Sequence, residues 1–537
     1  MPRGIRRPHS TIMLVTIACL STGSYAQPRL SQDDIPGSLS GELRDLAIRL
    51  YDVDPMRRAD SACEIGTLER RAEPLIPLLV SLLGDNTSTP VPDCVMDRSW
   101  GRWTNGDQDD EWPPTTPGRE AARALSLVGR PALDALLAAL ADEAWVMRMN
   151  AAWALGRLGE SAAVEPLIGA LADRQPEVRR DAAGALGRLE DSRALRALVT
   201  VLTGSDDETR SAAAWALGRL EDSRAVEPLL TALSDSVDTV RAQAAWALGR
   251  LEDDRALEGL SGRLARAESS PAVRRQAAWA LGRLENGHAV KALAAALGDA
   301  DPDVREQAAW ALGRIGHADG TAPLASALVD ADADVREQVA WALGRIEARA
   351  AVEPLVAALA DDPDAEVREQ ICWALGRLGD ARAVTSLIDA LARDGDADVR
   401  EQAAWALGRI QDPASAPRVV VGLSDANADV REQTAWALGR LRNASALDAL
   451  AASLSDPDTE AREQAVWALG QIGDRRAAEP LASALDDDDA EVRRMVVWAL
   501  GRLDRRGGSP QPNPNPNPNP NPNPNPNPSP PGERFRP

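Results

Sequence analysis

Asp299 to Ile315 reads Asp-Ala-Asp-Pro-Asp-Val-Arg-Glu-Gln-Ala-Ala-Trp-Ala-Leu-Gly-Arg-Ile, and its reading decides the fold. Asp301 suits a helix N-cap, Pro302 the first helical position and Asp303 the positive end of the helix dipole. Val304, Ala308, Ala311, Leu312 and Ile315 then recur at helical period on one face, and Gly316 supplies a stop. A second helix is expected after each such stretch, as in Val352-Glu353-Pro354-Leu355-Val356-Ala357-Ala358-Leu359, with its proline near the start where a missing N–H costs least. A two-helix unit of this kind cannot bury its apolar face by itself. It must stack on copies of itself.

Copies are present. Trp153, Trp215, Trp246, Trp279, Trp310, Trp341, Trp373, Trp405, Trp436, Trp467 and Trp498 each precede Ala-Leu-Gly, 31–33 residues apart except at one doubled step, where Gly184 holds the Trp slot. The expected fold is all-α, an α-solenoid superhelix of about fourteen antiparallel helical hairpins. Composition agrees. Fifteen Trp stand against one Phe and two Tyr in 537 residues, and Ala and Leu fill most other apolar positions, which suits close-packed helices and disfavours sheets.

The expected organisation is a signal peptide over 1–26, a linker over 27–38, the repeat solenoid over 39–503 with an irregular insertion at 86–118, and a disordered Pro/Asn-rich tail over 504–537. Arg3, Arg6 and Arg7 precede an apolar run from Thr11 to Leu20, and Ser24-Tyr25-Ala26 fits a cleavage site, so the mature chain is expected to start near Gln27 in a periplasmic or secreted setting. No later segment is apolar enough to span a membrane. In an oxidising compartment Cys63 and Cys94 are the candidate disulfide, and Cys372, in a slot where sibling repeats carry Ala, is expected in the core.

The formal charge is −22, or −25 without the first 26 residues, and a field of that sign argues against nucleic acid as partner. Lys291 is the only lysine, which removes nearly all lysine-based chemistry. His9, His288 and His317 build no metal site together. The Asp330, Asp332, Asp334 run opens like a calcium loop but has Val335 where Gly is needed and Trp341 where Glu is needed, so helix capping explains it. No nucleophile or phosphate-loop motif appears. The chain is expected to be non-catalytic, with no cofactor.

The pattern Val-Arg-x-x-Ala-Ala-x-Ala-Leu-Gly-x-(Ile/Leu), followed by Ala-Val-x-Pro-Leu-x-x-Ala-Leu, resembles HEAT-like repeats of the phycobilisome-lyase type and the consensus of designed HEAT-like binders. The likeness covers about residues 55–503. It implies the solenoid, and it implies that the slots of Glu306, Gln307, Trp310 and Arg314 lie on a concave surface. HEAT-like deoxyhypusine hydroxylases use His-Glu pairs for iron; His288 and His317 are each followed by Ala, so that activity does not carry over.

Helical projection independently places Gln307, Trp310 and Arg314 away from the apolar stripe. The expected binding row is therefore the eleven Trp above with Gln307, Gln338, Arg314 and Arg345. Each Trp either faces a ligand or packs across to the neighbouring repeat beneath an Arg one turn later, and the two are compatible. A second row, from Arg148 and Arg179 to Arg462 and Arg493, is expected to bridge to inter-helix Asp residues. The expected function is a protein-binding scaffold of the envelope or exterior, using a Trp/Arg/Gln-lined groove. The alternatives are a chromophore-lyase or chaperone-like factor, and a binder of a glycan or other repetitive polymer.

Overall fold

The computed structural model describes residues 35–39, 41–92, 114–204, 206–266 and 269–504. The expected signal segment and mature start, Cys94, Trp100, Trp103, Trp112, the acidic loop around Asp109 and the tail from Arg505 lie outside the described residues. Within them every regular element is helical, and one isolated antiparallel bridge joins Thr89 to Thr115. The chain is an α-solenoid whose hairpins pack in sequence order. No helix among the described residues is long and apolar enough to cross a membrane.

The array expected over 39–503 divides into two compact units, one ending at Leu158 and one beginning at Gly159. In the first unit, helices Gly41–Arg49 and Pro55–Thr67 form the first hairpin of the described residues, tied by Arg49 to Glu64 at 2.6 Å. Cys63 is disulfide-bonded. The helix Pro117–Val128 starts behind the Thr116 cap, so Pro117 and Gly118 are helical and the insertion closes before them. The reason is steric. Gly118 lies under the carbonyls of Leu83 and Asp85, each 2.7 Å from where a Cβ would stand.

In the second unit each hairpin has a long first helix, here called A, and a shorter second helix, called B, entered through a 3₁₀ turn. Pro302–Ile315 and Val290–Ala296 are examples. The Asp301 side chain accepts from the Val304 amide at 3.3 Å, and Gly316 closes the helix at φ 68°. In other repeats the same left-handed closing position is held by non-glycine residues, Glu190, Glu221, Glu252, Glu285, Glu347, Gln411 and Arg442. The Asp-x-Asp-x-Asp runs are caps. Asp332 accepts from the Asp334 and Val335 amides.

Successive A helices pack along their length, while B helices touch each other much less. Small residues make the close approach possible. A Cβ at Gly376 would sit 2.9 Å from Ala406 Cα of the next A helix, and every Ala-Leu-Gly glycine from Gly187 to Gly439 meets its successor as tightly. The Arg row behaves as a clasp between repeats. Arg305 reaches Asp330 with two bonds of 2.8 and 2.7 Å and its own entry loop through the Asp299 carbonyl at 3.0 Å. The same two-sided geometry recurs at Arg336 with Asp362 and at Arg431 with Asp456. Planar guanidinium suits this bidentate task.

Candidate binding surface

The A helices show partly exposed positions, such as Glu306 and Arg314, along one edge, and the residues of interest lie along it. The indoles do not stand free on this edge. Trp246, Trp279, Trp310, Trp373, Trp405, Trp436 and Trp467 are buried, Trp405 to 4% exposure, while Trp153, Trp215, Trp341 and Trp498 are half-buried. Of the two roles expected for each Trp, a ligand-facing row and packing on the neighbouring repeat beneath an arginine, the structure shows the second. From Trp215 to Trp498 each indole wedges its Cζ3 edge over the Ala-Leu-Gly glycine of the preceding repeat, Trp405 over Gly376 and Trp436 over Gly408. Only glycine leaves room there. An arginine one turn on covers the outer side of the ring, Arg314 over Trp310 at 5.9 Å and Arg345 over Trp341 at 5.7 Å. In the first unit Trp153 lies between Arg119 and Arg157 at 4.9 and 5.0 Å.

Gln307 and Gln338 are also buried. Arg314 is half-buried and paired with Glu285, and Arg345 is exposed. Of the expected row, the arginines reach the surface and the indoles and glutamines form its floor.

Projection alone underweighted the slot following each clasp arginine. It holds Glu306, Glu337, Glu369, Glu401, Glu432 and Glu463 in six successive repeats, against Arg180, Ser211, Ala242 and Arg275 before them. Where the slot is Arg it is neutralised: Arg180 meets Glu208 at 2.9 Å, and Arg275 meets Asp303 at 2.6 Å. At Glu369, Glu401 and Glu432 the surroundings are acidic. Burial holds Glu369, Glu401 and Glu432 up at about 7, helped by neighbouring carboxylates. Those are Asp398, Glu401, Asp396 and Glu337 around Glu369; Asp429 and Asp398 around Glu401; and Asp429, Glu460, Glu401 and Asp458 around Glu432. Glu463 differs in having Arg494 and Arg462 near it.

The closing residues at the opposite end of the A helices also vary. Glu190, Glu221, Glu252, Glu285 and Glu347, each in the left-handed closing position, pair with Arg219, Arg250, Arg283, Arg314 and Arg377 of the following repeat. Gly379, Gln411 and Arg442 hold that position further on. There Arg440 is pushed down by burial and by Arg409 and Arg442, and Arg502 by burial and by Arg442. The signal for both changes was in the sequence as Arg-to-Glu and Glu-to-Gly alternations at fixed slots, but it gains meaning only once neighbouring repeats are known to touch there.

Cys372 is fully buried and unpaired, and burial pushes its thiol up. It is a core atom in the place of alanine.

A stack of sequence-ordered helical hairpins with a charged edge defines a helical-repeat protein. The HEAT repeats family model matches residues 118–187, 133–214, 195–270, 262–334, 321–400, 384–458 and 449–512. The chain belongs to the HEAT repeat family. It is similar to an engineered protein of known structure, with 22% identity over 70% of this chain and 99% of that one at a TM-score of 0.36. It is similar to human deoxyhypusine hydroxylase in complex with glycerol, with 23% identity over 48% of this chain and 99% of that one at 0.23. Kap121p bound to Pho4p matches 86% of this chain with 57% of its own length, at 15% identity and a TM-score of 0.50. No curated protein matches the chain.

Proposed function

We propose that this protein is a non-catalytic scaffold of the cell envelope or exterior that holds another protein along the A-helix edge of its second unit. The single observation that carries the reading is the run of half-buried carboxylates at Glu369, Glu401 and Glu432, which sit among other acids instead of being neutralised within the fold. Groups left at such cost concentrate at binding sites. A repeat stack supports this use because its rigid, regular edge can meet a partner over several repeats at once. The burial of the indoles takes away the platform on which a glycan or other stacking polymer would rest. The basic start of the chain and its apolar run support export.

The test is affinity purification from envelope and extracellular fractions, comparing the wild type with a variant carrying Glu369→Lys, Glu401→Lys and Glu432→Lys. A protein recovered with the first and lost with the second is the expected result. Recovery of the same set with both variants overturns the assignment of the surface. N-terminal sequencing of the exported chain should begin at Gln27, and an intact Met1 would contradict the localisation.

A further inference from the structure

The acidic row admits a more specific reading, which rests on the protein-binding function just proposed. Its members do not converge: among the described residues no group of three His, Cys, Asp or Glu side chains is placed to hold a metal ion. Instead they repeat once per A helix, at the roughly 8–10 Å spacing of packed helices. Beneath them lie buried polar atoms without partners. Gln370, Gln402 and Gln433 are at most 1% exposed, and neither amide atom of any of them is hydrogen-bonded. Trp405, four residues after Glu401 and so on the same side of the helix, has an unpaired Nε1. Its Cζ3 edge is held against Gly376 of the preceding repeat, and Nε1 is on the opposite edge of the indole. It therefore points away from that repeat, to the side where Glu401 meets Asp429. Each unmade buried bond costs about 1–3 kcal/mol, and a row of crowded carboxylates adds to the cost.

We propose that Glu369, Glu401 and Glu432, over the Trp405 and Gln402 floor, bind an extended basic segment of a partner protein, one cationic side chain per repeat. The period follows from chain geometry. Packed A helices repeat at about 8–10 Å, and a β-strand does not meet that period with cations three residues apart, because its side chains alternate faces. A polyproline-type segment, with three residues per turn and about 3.1 Å rise, meets the spacing. Cations at every second residue fall out of step after one repeat. Binding needs the carboxylates ionised, so it weakens as pH falls from 8 to 6 and is accompanied by proton release near neutrality. It also weakens with salt, since the row is only partly buried.

Fluorescence anisotropy of labelled (Lys-Ser-Ser)4 against the full chain at pH 8 and low salt tests the idea. The expected result is saturable binding that weakens at least tenfold at pH 6 and at least tenfold in a Glu369→Gln, Glu401→Gln, Glu432→Gln variant. A peptide with four Lys at alternate positions should bind several-fold less well, and (Glu-Ser-Ser)4 should not bind. The amide substitutions relieve repulsion, so loss of binding in that variant does not reflect loss of fold, and circular dichroism of the variant checks this. Equal binding by the variant, indifference to Lys spacing, or no binding to the Lys peptide overturns the proposal. An envelope protein captured equally by wild type and amide variant would keep the scaffold reading and sink this one.

Discussion

In the A helices from Pro176–Leu189 to Pro271–Arg283, the slot after the clasp arginine is Arg180, Ser211, Ala242 or Arg275, and the left-handed closing residues are glutamates paired with the next repeat's arginine. From Ala365–Leu378 onward the slot is glutamate through three further repeats, and the closing positions become Gly379, Gln411, Arg442 and Gly473. The backbone, the Trp-over-Gly wedge and the Arg–Asp clasp are common to both regions. What differs is whether opposite charges meet. The first region cancels its charges repeat by repeat, while the second keeps acids at one end of the A helices and leaves arginines beside one another at the other end. Stability comes from the shared parts, and recognition has its room in the part that varies.

If the clasp is common property, breaking it should cost both regions alike. Arg274→Ala and Arg431→Ala each strand a nearly buried carboxylate, Asp299 and Asp456 respectively. Each should lower the free energy of urea unfolding by about 3 kcal/mol. A large difference between them would mean that the two regions are not held by the same device.

The wedge gives the next effect. Gly249→Ala and Gly376→Ala both drive a methyl into the neighbouring Trp and Ala backbone, at 2.7 and 2.6 Å from Cζ3. Both should cost about 2–3 kcal/mol. Gly501, at the same motif position in the last A helix, meets nothing within 4 Å. Gly501→Ala should therefore stabilise by about 0.5–1 kcal/mol through helix propensity alone. Equal outcomes at Gly376 and Gly501 would refute the wedge.

Smaller and confined to the second region is the pH effect. Glu401 and Glu432 are held near 7 in the fold and return to an ordinary carboxylate on unfolding, so the folded state binds more protons between the two values. Stability from this source is present below about pH 4.5 to 7 and lost as pH rises through about 7. Glu401→Gln should raise stability by about 1 kcal/mol at pH 8, after allowing for solvent screening, and leave it unchanged at pH 5. Thermal unfolding at the two pH values reads this directly, and a gain at pH 5 equal to that at pH 8 would remove the electrostatic cause.

The smallest effect comes from exchanging the closing residues. Glu285→Gly relieves a φ of 49° and gives up an exposed pair with Arg314. The two terms oppose each other, and the net change should stay within about 1 kcal/mol. The reverse graft, Gly379→Glu, brings a carboxylate toward Arg409 and should likewise change the thermal unfolding free energy by no more than about 1 kcal/mol.

The hairpin, its caps, its period and the clasp were legible in single repeats, because they depend on local spacing and on residue types whose preferences act within one helix turn. Asp301, Pro302 and Gly316 declared the A helix, and the Arg305 row declared a bridge. The division at Leu158 and the role of the tryptophans were not legible. An indole well off the apolar stripe is equally consistent with a ligand surface and with a neighbour's groove, and only the position of the preceding glycine chooses. The glutamate row was visible as letters at Glu369, Glu401 and Glu432. That it is unneutralised depends on which repeat's side chains lie opposite, and that is fixed by stacking, since electrostatic energy follows distance and burial in space rather than order along the chain.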